Sequence, residues 1–191
     1  MEENLCRRSS FAMQAYIAML RGINVSGHKV IAMAALRELF EALGYTNVKT
    51  YVQSGNVVFD ARNDSAKSAA KRIEAKILSA LGHEVPVIIR TANEMRDVLA
   101  ANPFVKQKGI DTQRLHITFL PKAPTQDGVK VLESRDAGPD RFAVIGREVY
   151  LFCPEGYGIS KLSNSDIERA FGVPTTTRNW RTVNKLVELT T

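Results

Sequence analysis

Arg21, Asn24, His28 and Lys29 fall within one glycine-punctuated stretch, YIAMLRGINVSGHK over residues 16–29. Donors gathered in this way suit an anion. The apolar residues before the stretch read as a buried strand, and those after it recur at helical spacing. A strand-to-helix junction leaves unpaired backbone N–H groups at the helix start, where the positive end of the helix dipole also lies. Basic side chains there would add donors to a ready anion site. GINVSGHK nearly matches a nucleotide-binding P-loop, which needs Lys directly after its last glycine and then Ser or Thr. Here His28 intervenes and Val30 follows Lys29, so the hydroxyl that would hold magnesium is missing. The plainer alternative is a tight turn that uses Gly22 and Gly27 for geometry and leaves its basic groups solvated.

Three further stretches carry polar groups near turns. YVQSGN at residues 51–56 offers Tyr51, Gln53 and Asn56, either as local turn chemistry or as contacts to a ligand across an open sheet. PEGYGISKL at 154–162 supplies Ser160 and Lys161 as anion donors. TTTRNW at 175–180 places Asn179 to cap a helix, with Arg178, Arg181 and Lys185 as a basic rim and Trp180 as a core anchor beside Val183 and Val187. The three histidines, His28, His83 and His116, have no metal spacing, and no nucleophile elbow is present, so neither metal nor other cofactor is expected. The basic-glycine-aromatic signature of an RNA-recognition sheet is also missing, since SGNVVFDA has one aromatic, Phe59.

The elements that must position these groups follow from periodicity. A strand at 16–20 leads to a helix at 32–43, a hairpin of strands at 48–52 and 57–60, a helix at 66–81 and a strand at 85–89. This is the ferredoxin-like βαββαβ order, with antiparallel strands and both helices on one sheet face. In such a sheet the hairpin tip and the first strand-to-helix turn are expected at opposite ends of neighbouring strands. A connecting helix at 93–101 precedes a second round: strand 115–120, helix 125–134, strands 141–145 and 149–152, helix 164–171 and a short strand 174–177. A terminal helix at 179–189 follows. The expected division is an N-terminal extension (1–14), a ferredoxin-like domain (15–92), a connecting helix and linker (93–114), and a second ferredoxin-like domain with its C-terminal helix (115–191). The fold class is therefore α+β.

A formal charge of +6 favours an acidic partner, a nucleic acid or a phosphorylated small molecule. The excess is spread out, with no polybasic tract. Two cysteines imply no disulfide framework, and no apolar run is long enough for a bilayer, so a cytoplasmic setting with no membrane partner is expected. Residues 1–12 lack the apolar centre of a secretory signal.

Taken in order, LRGINVSGHK, TYVQSGNVVF, GYGISKL and TTRNWRTVNKL resemble the bacterial family designated domain of unknown function 1697 (DUF1697). The resemblance runs from about residue 15 to 189 and implies a cytoplasmic protein of two ferredoxin-like halves. The family more often carries Gly where Ser26 stands and Asn where Arg181 stands. It implies no activity. Three functional expectations remain. The first is a non-enzymatic protein that binds a nucleic acid or phosphorylated ligand through Arg21, Asn24, Lys29 and Arg178. The alternative is an enzyme for a small anionic substrate held between the halves by Tyr51, Gln53, Asn56 and Lys161, or else a non-catalytic interaction module. The oligomeric state is not specified by the sequence.

Overall fold

The computed structural model of the protein describes residues 13–25, 27, 29–62 and 64–191. All but two residues of the expected N-terminal extension lie outside the described residues, as do Ser26 and His28 of the first turn. The chain runs β1 (Gln14–Leu20), α1 (Met33–Ala42), β2 (Thr46–Tyr51), β3 (Asn56–Ala61), α2 (Ala66–Leu81), β4 (Val87–Thr91) and α3 (Ala92–Ala100). The same order returns as β5 (Leu115–Phe119), α4 (Gln126–Glu133), β6 (Arg141–Ile145), β7 (Glu148–Phe152), α5 (Asn164–Phe171), β8 (Thr176–Asn179) and α6 (Trp180–Glu188). Antiparallel pairing forms two four-stranded sheets, β2-β3-β1-β4 and β6-β7-β5-β8, the ferredoxin-like strand order twice over. Among the described residues, no helix is long and apolar enough to cross a membrane.

Strand alternation assigns each side chain to a layer. Tyr16, Ala18 and Leu20 of β1 join Leu36 and Phe40 of α1 and Ile73 and Ile77 of α2 in an outer core. Ile17 and Met19 point the other way, into an inner core with Ile117 and Phe119 of β5, Tyr150 of β7, and Val183 and Leu186 of α6. The two sheets therefore face one another. Beyond the second sheet, Val149 and Leu151 pack with Leu132 of α4 and Ile167 of α5. Burial of β1 on both faces explains its unbroken apolar run, which an antiparallel strand with one wet face would not need.

The hairpin tip and the first turn lie at the same end of the first sheet, which corrects the expectation of opposite ends. The β1–α1–β2 crossover returns β2 parallel to β1, so β2 ends, and the tip begins, where β1 ends. Met19 sits opposite Asn56. The Leu20 N–H donates to Gly55 O at 2.8 Å, and Asn24 Nδ2 donates to Gln53 O at 2.8 Å.

This tip stores strain. Val52 is 48% exposed and holds φ at +51°, a left-handed conformation that a β-branched residue adopts at a cost of about 1–2 kcal/mol. Val52→Gly is expected to raise stability by about 0.5–1 kcal/mol in urea denaturation, the gain being trimmed by the greater unfolded-state freedom of glycine. A destabilised variant would refute this. Gly55, with φ at +76°, has no such latitude: a Cβ there would lie 2.7 Å from Ile23 Cδ1 and 2.9 Å from Leu20 Cβ.

Candidate functional site

The described donors of the first turn, Arg21, Asn24 and Lys29, have partners inside the protein. Arg21 forms a two-pronged ion pair with Glu168 of α5, and this hydrogen-bonded carboxylate raises the arginine's pKa. Asn24 Nδ2 also donates to Ile31 O at 3.0 Å, while its Oδ1 accepts the Ile31 N–H at 2.8 Å. Lys29 Nζ donates to Glu84 O at 2.5 Å. Positive φ at Gly22, Asn24, Gly27 and Lys29 folds the turn back on itself, and the Asn24 N–H closes it onto Lys29 O at 3.2 Å. The hollow beside the turn, about 450 Å³, sets Arg21 and Lys29 against Glu84 and Glu168, so the charges of its described residues balance.

The other expected contacts are dispersed. Tyr51 is half-buried against the inner core, and Gln53 is exposed with its carbonyl taken by Asn24. Lys161 stands apart in the second half, where its Nζ reaches Asp136 Oδ2 at 2.5 Å.

Arg178 and Asn56 do meet, but in the interior. Arg178, expected on an exposed basic rim, is 8% exposed because β8 alternation turns Thr176 and Arg178 toward the first sheet. Its Nε donates to Asn56 Oδ1 at 2.5 Å, and its Nη2 to Leu20 O at 2.8 Å and Ser54 O at 2.9 Å. Its Nη1 donates to Thr176 Oγ1 at 2.7 Å and Thr177 O at 2.9 Å. Burial pushes its pKa down to about 10, so it keeps its charge at neutral pH.

Arg90 is the counterpart in the other half. Its Nε donates to Glu148 Oε1 at 2.8 Å, and its Nη2 to Leu120 O at 2.7 Å, with the Arg147 carbonyl at 3.4 Å. Leu20 and Leu120 each follow or end the central strand and donate N–H to the last turn residue of the hairpin beside it. Asn56 and Glu148 each begin the third strand of their half. Each half thus sends an arginine across the inner core to equivalent groups of the other, one answered by a carboxylate and one by an amide. Sequence reasoning missed Arg90, although a signal exists: Arg90 precedes Thr91, the cap of α3, as Arg178 precedes Asn179, the cap of α6.

A different group of cations faces open space. A cavity of about 520 Å³ runs beside the edge strand β4, with a floor of Ala66, Ala70, Val87, Ile89 and Pro121. Lys67 and Lys71 of α2 line it, together with Lys122 and Arg147 from the second half. Among the described residues, Glu74 is the carboxylate in this lining, and its Oε1 is occupied by the Val87 N–H at 2.8 Å. Arg147 reaches Glu94 Oε1 at 2.6 Å. Among the described residues, Lys67, Lys71 and Lys122 make no ion pair. The edge itself is blunted, because Glu74 takes the outward N–H of Val87 and Glu94 Oε2 that of Thr91 at 2.7 Å. Lys67 and Lys71, four apart, share a helix face by spacing alone. Lys122 and Arg147 arrive through folding.

A family model described as "Protein of unknown function (DUF1697)" matches residues 13–150. A solved structure, that of the conserved bacterial protein SP0830 from Streptococcus pneumoniae, aligns over 94% of this chain and 100% of its own with a TM-score of 0.76. At 23% identity that likeness shows a shared fold. No curated protein matches the chain.

Proposed function

The chain belongs to the family described as protein of unknown function (DUF1697), and from that premise we propose that it binds a small phosphorylated or otherwise anionic ligand in the cleft along β4. One observation carries the reading: Lys67, Lys71 and Lys122 converge on a cavity of about 520 Å³ without ion-pair partners among the described residues. Like charges held together beside low-dielectric walls raise the local potential and attract an anion. Among the described residues, the hollow at the first turn has no such surplus, since Arg21 and Lys29 there face Glu84 and Glu168. The apolar floor favours a compact ligand over an extended strand, as does the capped edge of β4.

Calorimetric titration with inorganic phosphate and pyrophosphate at low salt tests the reading. Lys67→Ala, Lys71→Ala and Lys122→Ala combined are expected to weaken binding by at least about tenfold, equivalent to about 1.4 kcal/mol. Lys29→Ala is expected to leave affinity unchanged. The opposite pattern would move the anion to the glycine-rich turn, and no binding of any phosphorylated compound would overturn anion binding altogether. An oligonucleotide that outcompetes pyrophosphate with a steep salt dependence would instead favour a nucleic-acid backbone as the natural partner.

A further inference from the structure

We propose that the ligand of the β4 cleft carries a compact apolar or aromatic body joined to its anionic group, in the manner of an aryl phosphate; this rests on the anion-binding reading above. The cleft does not end at Lys71. A second hollow of about 430 Å³ shares Lys71 and Glu74 as lining and continues past Ala75, Leu78, Val85, Pro86 and Pro174. The two hollows adjoin at Lys71 and Glu74, the first basic toward Lys122 and the second apolar around Leu78. Beyond Leu78 the second hollow meets the charge-balanced one of the first turn at Glu84, Pro86 and Pro174.

Helix α2 supplies the continuous wall. Lys67, Lys71, Ala75 and Leu78 succeed one another at spacings of four, four and three, a single stripe that changes from basic to apolar along the helix. Leu78 is 47% exposed, an uncovered leucine beside a cavity. Glu84 lines the apolar end and would repel a second anion there. The charge pattern therefore sets one orientation: anion between Lys67, Lys71 and Lys122, apolar body against Leu78, Val85 and Pro174. Among the described residues, Leu78 is the one large apolar side chain of high exposure in this lining, too little for a membrane surface, so the occupant is a small soluble molecule.

The test is a titration series of inorganic phosphate, phenyl phosphate and 1-naphthyl phosphate against the full chain, with Leu78→Ser as the diagnostic variant. Affinity is expected to rise along the series, naphthyl phosphate binding about tenfold or more tightly than phosphate through burial of its rings. Leu78→Ser should remove most of that gain and leave the affinity for inorganic phosphate unchanged, its fold checked by circular dichroism. The combined lysine variant should lose both. If phosphate binds and the aryl phosphates bind no tighter, or if Leu78→Ser leaves naphthyl phosphate untouched, the apolar subsite is overturned while the anion site stands. If neither phosphate nor aryl phosphates bind, the anion site falls with it.

Discussion

Arg178→Met is expected to destabilise the protein by about 3–5 kcal/mol, among the largest effects available to one substitution. Methionine replaces the aliphatic stem but ends near the position of Nε, so the loss combines unpaired polar groups with the small volume that the fork leaves. Asn56 Oδ1 and the carbonyls of Leu20 and Ser54 all accept from this guanidinium. Asn56 is fully buried, and its amide nitrogen is already committed to Tyr51 O and Ser54 Oγ, so it cannot turn to find another donor for Oδ1. Each buried acceptor left without a donor costs about 1–3 kcal/mol. The same substitution frees the protein from carrying a buried cation, which offsets part of the loss and keeps the estimate below the simple sum. Arg178→Lys is expected to resemble Arg178→Met more than the parent, because an ammonium cannot reach both the Asn56 and Leu20 sides as the planar fork does. Urea denaturation at neutral pH measures both. A loss under about 1 kcal/mol would mean that the acceptors re-pair and that Arg178 does not join the two sheets energetically.

Arg90→Met is expected to cost a similar amount, about 3–5 kcal/mol, since it strands the carboxylate of Glu148 in a site where the two side chains are 1% and 11% exposed. The comparison between the halves yields a sharper result. Arg178 is held by an amide and carbonyls, and Arg90 has carbonyls of its own at Leu120 and Arg147. Glu148→Gln should therefore be the milder change, about 1–2 kcal/mol, because the amide oxygen can still accept from Arg90 as Asn56 does from Arg178. Arg90→Met combined with Glu148→Met should be less harmful than Arg90→Met alone, for the buried charge leaves with its partner. A double-mutant cycle on these variants gives the coupling directly. If Glu148→Gln proves as damaging as Arg90→Met, the negative charge itself is required, and the two arginine sites are alike in geometry only.

Much of the fold is legible because its signals are local. The Ala66–Leu81 helix announces itself through its apolar stripe, Ser65 accepting from Ser68 N at its start and Gly82 in a left-handed conformation at its end. The final strand, expected at 174–177, forms at Thr176–Asn179 because Asn179 both ends the strand and caps α6. That shift matters, since Arg178 then falls within the strand, where alternation turns it inward. The glycine-rich turn is likewise legible as a turn, and its glycines take the left-handed φ values the spacing suggests. Its electrostatic state is not legible, because Arg21 finds its carboxylate 147 residues away, at Glu168.

The sequence by itself determined the order and type of the elements, the Asn179 cap of the last helix, the two ferredoxin-like halves and the presence of excess basic charge. All of these rest on contacts between residues close in the chain or on the side-chain period of a strand or helix. Only the tertiary structure decided which apolar faces cover one another, and with that which charges are neutralised. Periodicity shows that β1 must be buried on both faces but not that the second sheet covers one of them. Packing then consumes Arg21 and Arg178 within the protein and leaves Lys67, Lys71 and Lys122 beside an open cleft, because ion pairing depends on distances that the chain sets only when it is folded.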